Sequence, residues 1–159
     1  MRKYTFDTRG NLSQTIIADG MEEVAYNFVK RMPPSTRAVL FDDFQNLRHR
    51  IREQCGNGLL EVWLNGSFIS TKGEPADIDA VFHIKDTTLQ DHGSFLLNEL
   101  QKSRGQAVDG YILRVYPDDH KRHFRTTSDR AYWEHLFSRT KPTRTRRGFA
   151  KGFIKIQEV

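Results

Sequence analysis

Two acids one residue apart, Asp77 and Asp79, stand about ten residues after a Gly66-Ser67 pair in the stretch LNGSFISTKGEPADIDAVFHI. An apolar run follows the second acid, so the pair falls on a predicted strand over residues 77–84. Side chains two apart on a strand share a face, and their Cα atoms lie about 6.6 Å apart. Carboxylates so placed repel one another unless a cation neutralises them. Mg²⁺ is the usual partner, because it takes oxygen ligands and completes its shell with water and phosphate oxygens. Gly66 lets an anion approach the backbone, and the Ser67 hydroxyl with free N–H groups suits a phosphate. The plainer alternative is a surface turn followed by an ordinary strand.

The elements that must hold these residues can be read from hydrophobic period. Residues 6–20 read as extended chain with a turn at Arg9-Gly10-Asn11. A helix with Asp19 as its cap carries Met21, Val24, Ala25, Phe28, Val29 and Met32 on one face, and Pro33-Pro34 ends it. Ser35 caps a longer helix whose Leu40, Phe44, Leu47 and Ile51 recur at helical spacing. Strands are predicted over 59–64, 77–84 and 110–116, with a small final one over 153–156. A helix capped by Thr87 or Thr88 lies between the second and third strands, and a last helix opens at Ser128-Asp129. Strands and helices share one core, which makes the class α+β, with a mixed sheet of three to five strands flanked by helices. The 159 residues fit a single domain.

Composition narrows the setting. Hydrophobic residues make up 37% and aromatics 11%, which is a folded composition rather than a disordered one. No apolar run reaches the ~20 residues needed to span a bilayer, and no signal peptide is read at the N-terminus, so a cytoplasmic protein is expected. The single cysteine, Cys55, reads as a buried structural thiol. The net charge of +5 is unevenly placed: Arg139, Lys141, Arg144, Arg146, Arg147, Lys151 and Lys155 fall in one stretch without an acid. Such a run favours phosphate-rich partners, although a solvated loop has the same composition.

Strand, Gly-Ser, a gap of about ten and Asp-Ile-Asp resembles the nucleotidyltransferase superfamily, which includes DNA polymerase beta, antibiotic nucleotidyltransferases and minimal bacterial nucleotidyltransferases. Beyond the central motif, FDTRGNL, VYP, YWEHLF and KGFIKI resemble a small uncharacterised bacterial and phage family within that superfamily. The superfamily resemblance implies a nucleotidyltransferase-like fold in which Gly66 and Ser67 hold a nucleoside triphosphate and Asp77 and Asp79 bind Mg²⁺. It implies transfer of a nucleotide to a hydroxyl of RNA or protein, and a toxin–antitoxin or phage-defence setting. Lys72 is placed to reach a terminal phosphate, or else is an exposed loop lysine. The chain's size leaves little room for an acceptor-binding domain, so a homo-oligomer or partner protein would complete the cleft.

The superfamily's third acid, on the next strand, has no obvious counterpart. The aligned position is Arg114, which either pairs with the acids or binds the triphosphate; Asp109, before the predicted strand, or Asp118 or Asp119, after it, are the alternative acids. Arg114 favours a rival reading, a catalytically degenerate protein that binds nucleotide, nucleic acid or a protein partner. His83 alternates to the same face as Asp77 and Asp79 and reads as a shuttle or, more simply, a structural histidine. His120 and His123 read as part of a basic surface loop, with too few further ligands for zinc. Trp133 and Phe137 read as core.

Overall fold

Periodicity places a sheet and its covering helices, and the computed structural model, which describes residues 1–158, sets them in one mixed five-stranded sheet. The strands are β1 (Ile16–Ala18), β2 (Leu59–Asn65), β3 (Ile78–Lys85), β4 (Val108–Val115) and β5 (Ile154–Gln157), in the order β1-β5-β2-β3-β4. β1 runs parallel to β5, and β3 parallel to β4; β2 is antiparallel to both of its neighbours. The helices are α1 (Met21–Ala25), which continues as a π-helical segment Tyr26–Lys30, then α2 (Arg37–Cys55), α3 (Asp86–Ser103) and α4 (His123–Phe137). The class is therefore α+β, as composition and period indicate. No helix among the described residues is long and apolar enough to cross a membrane.

Alternation along β3 divides the core. Ile78, Ala80, Phe82 and Ile84 are all fully buried, and Phe82 meets Phe44 of α2 with ring centres 6.5 Å apart. The opposite face carries Asp79, Val81 and His83 and is covered by α4, where Trp133 packs on Tyr111 and Phe137 on Phe153, at 4.8 and 5.7 Å. Fully burying residues such as Phe82 or Ile84 is worth about 1.5–3 kcal/mol each, and a slip by one residue would drive Asp79 and His83 into the α2 side of the core, which fixes the register.

Several boundaries differ from the sequence expectation. The residue before α1 is Gly20, and the Asp19 N–H donates to the Glu23 carboxylate at 2.9 Å, so Asp19 does not act as a side-chain cap. The residue before α2 is Thr36, so Ser35 is not its cap, although its hydroxyl accepts the Arg37 N–H at 3.2 Å. α3 begins at Asp86, directly after β3, so neither Thr87 nor Thr88 caps it. α4 starts at His123 rather than Ser128, more than one turn ahead of the apolar residues that pack on the core.

The largest correction concerns β4, which begins at Val108, not Gly110. A glycine preceded by an acid reads as a turn, but here Gly110 continues the strand. A Cβ on it would lie 2.7 Å from the Leu100 side chain, so the glycine makes room for α3 to pack on the sheet.

Candidate active site

Asn65 ends β2, Asp79 lies near the start of β3 and Asp109 near the start of β4; the register pairs Asn65 with Asp79 and Asp79 with Asp109. Adjacent strands are about 4.8 Å apart, so these three form a row across the sheet. Asp77 stands one alternation outside it, just before β3. Asp77, Asp79 and Asp109 all line one cleft of about 600 Å³, together with Gly66, Ser67 and Lys72.

Arg114 does not belong to this group. It pairs with Ile84 in the register, five residues beyond Asp109, or about 16 Å along the strand. Its guanidinium lies 3.5 Å from Asp86 at the far end of the sheet. The expectation that Arg114 sits beside the acids or on a nucleotide is corrected accordingly: β4 starts two residues earlier than its glycine suggests, and the residue abreast of Asp79 is an acid.

The turn after β2 is shaped for close approach. Gly66 has φ +88°, and a Cβ there would stand 2.9 Å from Asp79 Oδ2. Glycine is thus required both by its left-handed backbone and by the carboxylate facing it. Ser67–Ile69 form a single 3₁₀ turn, in which the Ser70 hydroxyl donates to the Ser67 carbonyl at 2.6 Å. The loop beyond is held from beneath by Arg37, only 2% exposed, which donates to the carbonyls of Phe28 (3.1 Å), Phe68 (2.5 Å), Ser70 (2.7 Å) and Lys72 (2.6 Å). A buried guanidinium therefore satisfies four backbone carbonyls and holds Ser67, Ser70 and Lys72 at the cleft.

The terminal segments close the remaining sides. The Thr71 N–H donates to the Gly10 carbonyl at 2.9 Å, and Asn11 bridges to Ser70. Gly152 lies so close to the backbone of Gln14 that a Cβ would collide with it. Lys151, next to that glycine, enters the cleft and donates to Asn65 Oδ1. Thus FDTRGNL, the Gly-Ser loop, the two acids and KGF, spread across the whole sequence, meet around one cavity.

Electrostatics mark Asp79 as the strained member. Burial, then the charges of Asp77 and Asp109, push its carboxyl up to about 6, against the pull of Lys141 and Lys151. No hydrogen bond is among these influences. Asp109 accepts the Tyr111 hydroxyl at 2.9 Å, and burial together with that carboxylate raises the phenol's pKa. Burial lowers Lys151 to about 8, while the Asp79 charge opposes the fall. The donor set of carboxylate oxygens suits a hard divalent cation. Among the described residues, however, no group of three or more His, Cys, Asp or Glu side chains is drawn together around a single metal position. The acids line the cleft without converging on one point.

Other candidates fall elsewhere. His83 is fully buried against Trp63, with ring centres 4.5 Å apart, and burial lowers its pKa to about 3. It does not line the cleft. Neither ring nitrogen has a hydrogen-bond partner among the described residues. His120 stacks on Tyr116, and the His123 ring meets the Tyr116 carbonyl at 3.1 Å, away from the acids. Phe137 is core, but Trp133 is half-buried and lines the cleft. Cys55 is buried at the end of α2, with its thiol pKa raised by burial. Asn11, Asn65, Tyr111, Trp133 and Lys151 are cleft residues that sequence reasoning does not single out as such. For Asn65 a signal exists, since it immediately precedes Gly66.

Fold and cleft define an α+β protein with an acid row set against a glycine turn and a basic wall. Residues 4–157 match the family of unknown function DUF6932, and the chain belongs to that family. Neither a curated protein nor a solved structure matches it significantly.

Proposed function

We propose that this protein is a Mg²⁺-dependent nucleotidyltransferase that moves a nucleotide from a nucleoside triphosphate to a hydroxyl of RNA or protein. The observation that carries the reading is the pairing of Asp109 with Asp79, which gives the cleft a third acid on the neighbouring strand. Asp77 and Asp79 would hold the cation, with Asp109 abreast of Asp79 on the next strand, and the cation's charge would offset the repulsion of the acids and of the phosphates. Gly66 and Ser67 receive the triphosphate, with Lys72 and Lys151 available to its outer oxygens. In the transfer the acceptor oxygen bonds to the α-phosphorus and the bond to the β-phosphate oxygen breaks. Pyrophosphate leaves, and the hydroxyl proton passes to a carboxylate, for which Asp109 is the assigned acceptor.

Incubation with labelled nucleoside triphosphates and total RNA or cell lysate tests this directly. Wild type is expected to transfer label, and Asp77→Ala with Asp79→Ala to lose transfer. Equal transfer by the double variant refutes the assignment of these acids.

A binding-only protein is the second reading, favoured by the lack of a ready three-ligand cluster among the described residues. Calorimetric titration with ATP separates the two: binding that needs Mg²⁺ supports the enzyme, and binding indifferent to Mg²⁺ supports the alternative.

A further inference from the structure

Residues 139–150, between α4 and Lys151, form an arm that the nucleotide-binding reading does not use. It is a pinned hairpin rather than a loose loop. The Lys151 N–H donates to the Ser138 carbonyl at 2.9 Å, and Arg139 bridges to Ala150. The Thr140 N–H donates to the Phe149 carbonyl at 2.8 Å, and the Phe149 N–H returns to the Thr140 hydroxyl at 2.8 Å. At the tip, the Thr143 N–H donates to the Arg146 carbonyl at 2.9 Å and the Arg146 N–H to the Thr143 hydroxyl at 3.1 Å. The Arg9 guanidinium sits 3.7 Å from the centre of the Phe149 ring, fastening the arm to the N-terminal turn.

The arm concentrates charge and leaves it unspent. Lys155 pairs with Glu134, and Lys151 is turned inward to Asn65. Arg139, Lys141, Arg144, Arg146 and Arg147 are exposed or nearly so, and none has a carboxylate partner among the described residues. Arg139 and Lys141 line the cleft mouth, while the three arginines of the tip extend the positive track away from it.

An apolar surface adjoins this track. Only Thr126 and Phe137 of the fifteen α4 residues are buried. On its last turns Tyr132 is 61% and Leu136 45% exposed, and Tyr132 meets the cleft-lining Trp133 edge-on at 5.4 Å. A track of cations beside exposed aromatic faces suits a strand whose phosphates follow the cations and whose bases stack on rings. A duplex hides those faces, and an acidic peptide, which the cations alone would suit, brings no bases to stack on the rings.

We infer that the acceptor is the end of a single-stranded nucleic acid, bound along the Arg139–Arg147 arm and the Tyr132 face of α4, with its terminal hydroxyl in the acid-lined cleft. The reaction at that hydroxyl rests on the nucleotidyl-transfer reading; the binding rests on the arm alone.

The test uses fluorescence anisotropy of the full chain with labelled single-stranded RNA and DNA 12-mers and a duplex of the same sequence. Wild type is expected to bind single strands more tightly than duplex. Each phosphate neutralised contributes about −0.7 to the slope of log affinity against log salt. Arg144→Gln with Arg146→Gln and Arg147→Gln is expected to flatten that slope by about 2 and weaken binding at least about tenfold. Tyr132→Ala is expected to weaken single-strand binding at unchanged salt slope. The hairpin rungs use backbone groups and threonine hydroxyls, so the arginine variant keeps its fold, and its ATP affinity serves as the control. An arm variant that binds single strands as wild type does, a preference for duplex, or label transferred to polypeptide overturns the inference. Wild type that binds ATP with Mg²⁺ but no oligonucleotide defeats this inference alone; oligonucleotide binding without nucleotide binding defeats the transferase reading alone.

Discussion

Replacing Asp79 by Asn should stabilise this protein. The ionised carboxyl is unfavourable in the fold because it is half-buried and faces two other acids. A rise from 3.8 to about 6 sets an upper limit of about 3 kcal/mol on that penalty. Solvent at the cleft mouth screens part of it, so about 1–3 kcal/mol is expected. The sign follows from the raised folded value: the penalty is full above about pH 6 and fades as pH falls toward 3.8, where both states are protonated. Asn is nearly isosteric and carries no charge, so the variant should gain about 3–8 °C in melting temperature at pH 7.5. The gain should roughly halve at pH 5. Millimolar Mg²⁺ should raise the wild-type melting temperature and leave the variant's almost unchanged, because cation binding removes the same repulsion. Thermal melts by circular dichroism at the two pH values, with and without Mg²⁺, measure all of this. A variant less stable than wild type at pH 7.5, or a gain that does not change with pH, refutes the account of a strained carboxylate.

Arg114→Ala should leave ATP affinity within about twofold of wild type by calorimetry, since Arg114 faces Asp86 at the other end of the sheet. Gly66→Ala should cost about 1–2 kcal/mol from its left-handed backbone alone, and more from the contact with Asp79; urea unfolding measures the loss and calorimetry an accompanying drop in ATP affinity. Arg37→Met should destabilise by about 3 kcal/mol or more in urea, because buried carbonyls lose their donor. For His83 the folded pKa is depressed to about 3, so its neutral form supports the fold above pH 6.5 and that support is lost as pH falls. His83→Leu should therefore gain on wild type by about 1 kcal/mol between pH 6.5 and 5.5, read from urea titrations at those two pH values.

Most of the fold is legible in the sequence because its strands and long helices bury one-sided patterns. Leu40, Phe44, Leu47 and Ile51 read as one helix face, and all four are buried. The Asp-Ile-Asp alternation is equally plain, since Ile78 between the acids is fully buried. Element starts are harder. α4 opens on His123 and polar residues because tertiary packing, not propensity, sets its first turn; the Thr126 hydroxyl donates to the Arg114 carbonyl and accepts the Tyr116 N–H, tying that turn to the end of β4. Asp109 is obscured by its own neighbour, since the steric demand of Leu100 for a glycine at 110 is a property of α3 packing that no local pattern contains. Lys151 is obscured for a similar reason: within a basic run it looks like any solvated lysine, and its inward course goes with long-range contacts, Gly152 against Gln14 and Lys151 on Asn65.

The strand order also bears on how the protein is made. β5 lies between β1 and β2, although 135 residues separate Ala18 from Ile154 and every other described strand precedes β5 on the ribosome. Until residues 154–157 emerge, β1 has no neighbour, β2 offers an open edge and Lys151 has no route into the cleft. Long loops must close before such contacts reward them, so this pairing is expected late in folding. A nascent chain would thus carry its acids long before it carried the wall that faces them. Binding at this cleft would begin only once residues 151–157 had emerged and paired.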